Sequence, residues 1–379
     1  MTLINIKTFA LKQVLDALIP AVPNKPSRDI LKCIKITAKQ GSPEDTLTFQ
    51  VTDLERFLTF ELPCNKGANY LVTTEGTFAV PALVFANYAR AIEDVETTIQ
   101  LTPENTIKLN SGKSGSSSAE FEVGVLDIDD FPDFPTTDNV KNWINVEADA
   151  LRFGLSRVLF AVADKGHPKW GALSAVCIEL ENSKLSLIGT DQHRASVISL
   201  DLDQPRTAAK QTLLVSATAL EIVSKIFEGT IKMSLDSANA LIFNTGSVTM
   251  FVRLVNGNFP PVRNFLPKHP HKLQLDAKTF LKEIKRVQLA TDQFAAIKVS
   301  LRKDKATLLA KTKEEKKTAK IEYGITNTGS DIDFTINCKY LIDVLKVGDS
   351  LELSYNKNNQ PIMFKADGFE HVIVPQETR

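Results

Sequence analysis

The chain has 379 residues, 43% hydrophobic and 24% charged, with 45 lysines and arginines balancing 45 aspartates and glutamates. This length exceeds one ordinary core, and the composition is that of a folded globular protein with no apolar run long enough for a membrane-spanning helix. The zero formal charge excludes a protein that grips nucleic acid through a strongly basic face, so any phosphate contact must be weak or local. Four scattered cysteines (Cys33, Cys64, Cys177, Cys338) form no CxxC pair, which argues against zinc and a disulfide framework. The N-terminal MTLINIKTFALKQ lacks the features of a signal peptide, so a cytoplasmic protein without a cofactor is expected.

Along the chain, one plan recurs three times. Leu11, Leu15, Leu18 and Val22 share one helix face; Leu151, Leu155, Val158 and Val162 repeat the spacing, as do Phe280, Ile284, Val287 and Thr291. Each helix is followed by strand-like alternation. The first set is CIKITA, TLTFQVTD and RFLTFEL; the second is AVCIELE, KLSLIGTD and RASVISL; the third is IKVSLR, ATLLAKT and AKIEYG. A second helix follows in each copy (80–94, 215–229, 336–348), and further strands close it: FEVGVLDID, VTMFVRLVN and HVIVP. Proline-rich DDFPDFP (129–135) and NGNFPPV (256–262) end the first two copies, since proline lacks the donor a strand ladder needs. The expected domains are 1–140, 141–272 and 273–379, each with two amphipathic helices and about eight strands. The architecture is therefore α+β, with helices on antiparallel sheets. Over helices taken as 5–22, 80–94, 147–163, 215–229, 276–291 and 336–348 the charge sums to +2, a mild basic bias. The cations on the free faces are expected to be Lys7, Lys12, Arg90, Arg152, Arg157, Lys225, Lys282, Lys285, Arg286, Lys339 and Lys346.

GTDQHRASVISL (189–200) gathers polar residues in a way that suggests chemistry, yet VTDLERFLTFEL (51–62) repeats its outline. A repeated Thr-Asp corner is architecture; a catalytic triad is not expected twice. Asp191, His193 and Ser196 lie on one extended segment whose alternation sends side chains to opposite faces. SGKSGSSS (111–118) lacks the first glycine of a phosphate loop and precedes a strand, so it reads as a hairpin loop. KHPH (268–271) reads as a solvated interdomain linker, and KTKEEKKTAK (311–320) as a solvated hairpin.

TDLE at 52–55, GTDQHR at 189–194, RLVNGNFPPVRNFLPKHP at 253–270, YLIDVL at 340–345 and the terminal HVIVP together resemble the bacterial sliding clamp family, the beta subunit of DNA polymerase III. The resemblance spans the whole chain and implies a clamp fold closing as a homodimeric ring. Twelve helices would line a hole around double-stranded DNA, and the ring would tether the replicative polymerase topologically, without catalysis. It also implies a pocket for short linear peptides of polymerase, clamp loader and repair proteins. Its matching positions here are Leu173, Thr190, Gln192, His193, Arg194, Pro260, Asn264, Phe265, Asn337, Tyr340, Pro361, Val374, Pro375 and Gln376. In this reading the TDLE copy keeps the corner but lacks the His-Arg pair. Leu173, Phe265 and Val374 would supply an apolar floor, and Thr190, Arg194 and Asn337 the orienting polar groups. Departures from the family pattern at Asn264, Phe265, Ala195 and Gln376 bear on peptide preference. Family-matched DNA contacts are Lys25, Arg28, His167 and Lys169; dimer positions are Phe121 and Val123 on one edge, Leu289 and Ala290 on the other. The alternative is an interaction scaffold with the same pocket that never encircles DNA, and dimer closure discriminates the two.

Overall fold

The structure, a computed structural model, describes residues 2–65, 68–111, 119–138, 140–163, 168–202, 210–235, 239–312 and 316–376. Six helices occur among the described residues: α1 (Thr8–Leu18), α2 (Ala82–Ala91), α3 (Ala148–Val158), α4 (Ala217–Ile226), α5 (Ala277–Gln288) and α6 (Cys338–Leu345). The three repeats of the apolar stripe are buried as their spacing requires: Leu11, Leu15 and Leu18; Leu151, Leu155 and Val158; Phe280, Ile284 and Val287. The helices are shorter than their patterns because extended strands (Leu3–Lys7, Ile144–Glu147, His271–Asp276) run directly into α1, α3 and α5. In the first of these Ile4 and Ile6 are buried, so Lys7 ends a strand and does not lie on a helix face. Pro20 stops α1, and the chain continues through a single 3-10 turn, Ile19–Ala21. Side-chain caps start two helices: Asp276 accepts the Thr279 N–H at 3.1 Å and Asn337 the Lys339 N–H at 2.9 Å.

The chain forms two compact units, one from residues 1–149 and 219–254, the other from 150–218 and 255–379. In the first unit, an antiparallel eight-stranded sheet runs in the order Ile144–Glu147, Thr230–Leu235, Ala240–Asn244, Val248–Arg253, Arg56–Leu62, Thr46–Thr52, Cys33–Lys39, Gly76–Pro81. A five-stranded sheet runs Tyr70–Thr74, Leu3–Lys7, Glu96–Leu101, Thr106–Ser111, Ala119–Gly124. In the second unit the eight-stranded order is His271–Asp276, Ser350–Tyr355, Ile362–Ala366, Phe369–Ile373, Arg194–Asp201, Lys184–Thr190, Ala175–Glu181, Gln211–Ser216. Its four-stranded sheet runs Thr318–Gly324, Lys305–Lys311, Ala296–Leu301, Ile332–Asn337.

The two large sheets match strand for strand, and each joins strands from two successive sequence repeats. Their central seams correspond too: Leu58 opposes Met250 in the first unit, Ser196 opposes His371 in the second. Fully buried Phe49, Phe85, Phe227 and Phe243 anchor the first core; Tyr355, Phe280, Phe364 and Phe369 anchor the second. Each such side chain stabilises by about 2 kcal/mol, so these eight form a substantial part of the driving force. KHPH is only in part a solvated linker: Lys268 and Pro270 are exposed, but His271 opens a strand with its ring 5.4 Å from that of Tyr355, and His269 Nε2 lies 2.7 Å from the Pro361 carbonyl. Part of the SGKSGSSS loop and of the KTKEEKKTAK hairpin lies outside the described residues.

Candidate functional site

The Thr190–Arg194 corner is built by its own side chains. Thr190 Oγ1 donates to the Arg194 carbonyl at 2.7 Å and accepts the Gln192 N–H at 3.2 Å. Asp191 Oδ1 accepts the N–H groups of His193 and Arg194 at 3.0 and 2.9 Å, while its Oδ2 holds Arg194 Nε at 2.9 Å. These bonds stabilise Gln192 at φ +75°. Gly189, just before the corner, is needed because a Cβ there would come within 2.5 Å of the Val158 carbonyl oxygen.

The first unit repeats the corner bond for bond. Thr52 Oγ1 donates to the Arg56 carbonyl at 2.6 Å, Leu54 sits at φ +75°, and Asp53 accepts the N–H groups of Glu55 and Arg56 at 3.1 and 2.7 Å. Arg56 Nε donates to Asp53 Oδ2 at 2.8 Å. The TDLE copy therefore keeps the arginine, one residue beyond the four that suggest the match, while Leu54 and Glu55 stand where the second corner has Gln192 and His193.

The surroundings of the two arginines diverge. Arg194 Nη1 donates to Asp343 Oδ2 on α6 at 2.7 Å, and its guanidinium carbon lies 4.3 Å from the centroid of the Tyr340 ring. Phe160 lies on another side, 5.6 Å away. Burial raises the Tyr340 hydroxyl pKa above its ordinary value. Arg56 Nη1, by contrast, is buried without a hydrogen-bond partner among the described residues. Beside that corner Phe57 meets Phe134 edge-on at 5.3 Å, and Leu54 and Phe134 pack on a buried cluster that includes Phe131 and Cys33.

Several expected pocket residues converge around Arg194. Val374 donates its N–H to the His193 carbonyl at 2.8 Å, and Gln376 donates its N–H to the Thr335 carbonyl at 2.8 Å. Pro361 adjoins Ile362, which pairs with Ile373 in the last strand. Gln192 and His193 are exposed, as are Phe265 (65%) and Val374 (43%). Large apolar side chains left in water beside polar groups are what a binding surface needs.

Three residues expected in the pocket are placed otherwise. Leu173 is only 9% exposed, so it belongs to the packed interior more than to an open floor. Thr190 is buried with its hydroxyl bonded to Arg194, and the Asn337 side chain caps α6, so both are committed to the chain itself. Ser196 Oγ faces His371 Nδ1 at 2.7 Å, both fully buried, and burial among apolar neighbours lowers the histidine to about 3; neither is a nucleophile pair open to substrate.

Pro260 and Asn264 line a separate cleft of about 220 Å3 with Cys177, Ile188, Phe259 and Val262. Glu179 at its rim binds Lys210 at 2.8 Å and Arg263 at 2.9 Å. Burial alone would raise the Glu179 carboxyl, but these two cations outweigh it and hold the group below its ordinary range. Cys177 is pushed up to about 12 by burial and is inert as a thiolate. No group of three or more metal-ligating side chains occurs among the described residues, nor a helix long and apolar enough to cross a membrane.

Of the expected DNA contacts, Lys25 and Arg28 are exposed, Lys169 falls in the 3-10 helix Pro168–Ser174, and His167 lies outside the described residues. Several of the cations expected on helix faces are held by their own chain: Lys7, at its strand end, by Glu96 at 2.6 Å, Lys12 by the Ile92 carbonyl at 2.6 Å, Arg90 by Asp16 at 2.7 Å and Arg286 by Glu283 at 2.7 Å. Arg157 stacks 3.3 Å from the Phe153 ring centroid. Phe121 and Val123 are half-buried on the edge strand Ala119–Gly124, with Phe121 stacked on Tyr88 at 4.8 Å. At the other edge Leu289 is 81% exposed, whereas Ala290 is buried and unavailable; exposed Phe294 is the neighbour the sequence did not suggest. Asp343 and Phe160 likewise escaped the sequence reading, since neither lies near the corner in the chain.

Paired helices on repeated antiparallel sheets, with matching seams and matching corners, define a DNA-clamp fold. The N-terminal, central and C-terminal domain profiles of the DNA polymerase III beta subunit match residues 2–135, 145–261 and 263–377. The chain is 23% identical to the beta sliding clamp of Bacillus subtilis (strain 168) across 97% of both chains, and 25% identical to that of Proteus mirabilis across 80% of this chain and 79% of that one. In fold it is similar to the crystal structures of the B. subtilis DNA polymerase sliding clamp and the Thermotoga maritima DNA polymerase III beta subunit. Both give a TM-score of 0.88 over 100% of each chain, at 22% and 19% identity. The chain belongs to the DNA polymerase III beta subunit family: it is a sliding clamp, a non-catalytic replication protein that tethers polymerase to DNA.

Proposed function

We propose that this clamp acts in the cytoplasm as a ring-shaped homodimer of three-domain protomers (1–140, 141–272, 273–379), encircling duplex DNA. The observation that carries the reading is the incompleteness of the two smaller sheets. In the complete sheets, Val248–Arg253 pairs with Arg56–Leu62 and Phe369–Ile373 with Arg194–Asp201. By strand correspondence, Ala119–Gly124 is an edge of the first kind without its partner, and Thr318–Gly324 an edge of the second kind. Pairing one protomer's Ala119–Gly124 with the other's Thr318–Gly324 would complete a further pair of large sheets and remove an unpaired-edge hazard. Phe121 and Val123 would face Ile321 and Tyr323 across that seam, with Leu289 nearby.

A zero net charge suits topological tethering, because a sliding ring is slowed by strong phosphate pairing. Lys25, Arg28, His167 and Lys169 are the proposed DNA contacts. The surface around Gln192, His193, Arg194, Tyr340, Pro361, Val374, Pro375 and Gln376, with exposed Phe265, is the proposed seat for short peptides of polymerase, loader and repair proteins. Loading onto circular duplex tests the ring: the protein should stay bound to circles at physiological salt and be lost once they are linearised. Retention on linear DNA, or a stable monomer in sedimentation, would favour the scaffold that never encircles DNA.

A further inference from the structure

Asparagine followed by glycine occurs once in the chain, at Asn256–Gly257. That pair carries a reaction of its own, in which the glycine nitrogen attacks the carboxamide carbon of the residue before it. Glycine has no side chain to shield its nitrogen or to restrict the turn the attack requires. The surrounding fold decides whether the chemistry is open.

Here it is open. Asn256, Gly257 and Asn258 are exposed and lie outside every helix and strand. Among the described residues no hydrogen bond holds the Asn256 carboxamide or the Gly257 N–H. Other asparagine amides are occupied: Asn69 Nδ2 donates to the Pro63 carbonyl at 2.7 Å, and Asn244 Nδ2 to Thr249 Oγ1 at 2.7 Å. Gly257 stands at φ +143°, and a Cβ there would lie 3.1 Å from the Ala172 Cβ, so a larger residue would be strained in its place. The flanks are fixed. Val255 donates its N–H to the Leu214 carbonyl at 2.8 Å, and Val255 and Phe259 both pack on the buried cluster that includes Ala172, Cys177, Ile188 and Val262.

We propose that Asn256–Gly257 is a modification site, at which the chain converts its own asparagine to aspartate and isoaspartate without an enzyme. The Gly257 nitrogen bonds to Asn256 Cγ, the Cγ–Nδ2 bond breaks, and ammonia leaves with the proton the glycine nitrogen gives up. Water then opens the cyclic imide. Opening at Cγ gives aspartate; opening at the main-chain carbonyl gives isoaspartate, which routes the backbone through the side chain and lengthens it by a methylene. Both products carry a new carboxylate. The added methylene falls in a short bridge with fixed ends, which leads directly into Pro260 and Arg263 of the 220 Å3 cleft. The reaction depends on neither the ring nor the peptide groove.

Asn258 is the internal control, because it is equally exposed but precedes Phe259, whose side chain crowds the attacking nitrogen. The full-length protein is incubated in mildly alkaline heavy-oxygen water, and peptide mass spectrometry reads the heavy oxygen gained at each asparagine. Asn256 should gain label about tenfold faster than Asn258. Its rate in the folded protein should match that in the urea-unfolded chain. Asn256→Gln, which would have to close a larger ring, should lose the label at that position while every other asparagine keeps its rate. Enzymatic methyl transfer to isoaspartate should rise in step in the parent and stay lower in the variant. Labelling of Asn256 no faster than Asn258, a folded rate far below the unfolded one, or equal methyl transfer to parent and variant would each overturn the proposal.

Discussion

The two Thr-Asp-x-x-Arg corners carry the same internal bonds, from threonine hydroxyl to arginine carbonyl and from aspartate to two N–H groups and the arginine Nε. They differ in what surrounds them. The first is flanked by its own aromatic side chains, Phe57 and Phe134; the second is wired to Asp343 and Tyr340 and bordered by exposed Val374. A local motif supplies the bend, and residues distant in sequence decide what stands around it: aromatic side chains at the first corner, a carboxylate and a tyrosine at the second.

The largest expected effect comes from removing the arginines. Arg194→Ala leaves two carboxylates facing each other and should cost about 3 kcal/mol of stability. Arg56→Ala leaves one, and should cost about 1 kcal/mol less. Urea denaturation of both variants decides; equal costs would mean that Asp343 and Tyr340 add nothing to the second corner.

Next is truncation after Ile373. It removes the Val374 and Gln376 N–H bonds to the His193 and Thr335 carbonyls and leaves the edge strand Ala119–Gly124 unaltered in sequence. Peptide and polymerase affinity should fall about a hundredfold while sedimentation still reports a dimer. Unchanged affinity would put the groove on another surface.

The seams give a third contrast, Leu58–Met250 against Ser196–His371. Burial lowers His371 from its ordinary 6.5 to about 3, so below pH 6.5 the unfolded chain takes up a proton that the folded chain refuses. This contribution to stability is present above pH 6.5 and is lost progressively as pH falls toward 3. At pH 5 the loss is about 2 kcal/mol. The double variant S196L/H371M transplants the first unit's pair and should remove that part of the acid sensitivity; denaturation curves at pH 7 and pH 5 read it directly.

The smallest effect sharpens the likeness. Thr52→Val and Thr190→Val each delete the same two hydroxyl bonds, to the arginine carbonyl and from the N–H two residues on, and should each destabilise by about 1 kcal/mol. A clear inequality in melting temperature would show that the corners are not energetic copies.

Much of this was legible in the sequence, because helix stripes and strand alternation are written at short range. Leu11, Leu151 and Phe280 announce three copies through spacing alone, and all three are buried. The corners were legible as a repeat, though the TDLE motif stops one residue short of Arg56, the counterpart of Arg194. What the residue types could not disclose was how their polar atoms are committed. Thr190 and Asn337 offer groups that suit a ligand, yet the fold uses both for itself. Asp343 reaches Arg194 across 149 residues of sequence, a separation at which no local pattern operates. Ala290 follows exposed Leu289 yet turns inward, as the end of α5 dictates.

The internal satisfaction of the second corner also sets a clock. Its threonine, aspartate and arginine bonds are made within the chain, so if the proposed groove is correct, that wall need not rearrange to admit a peptide or to let one go. Association can then run near the ordinary protein rate, about 10⁶ per molar per second, and a micromolar partner stays for about one second. Occupancy would pass among competing tails on that timescale, and the order of service would follow their local abundance and their own flexibility.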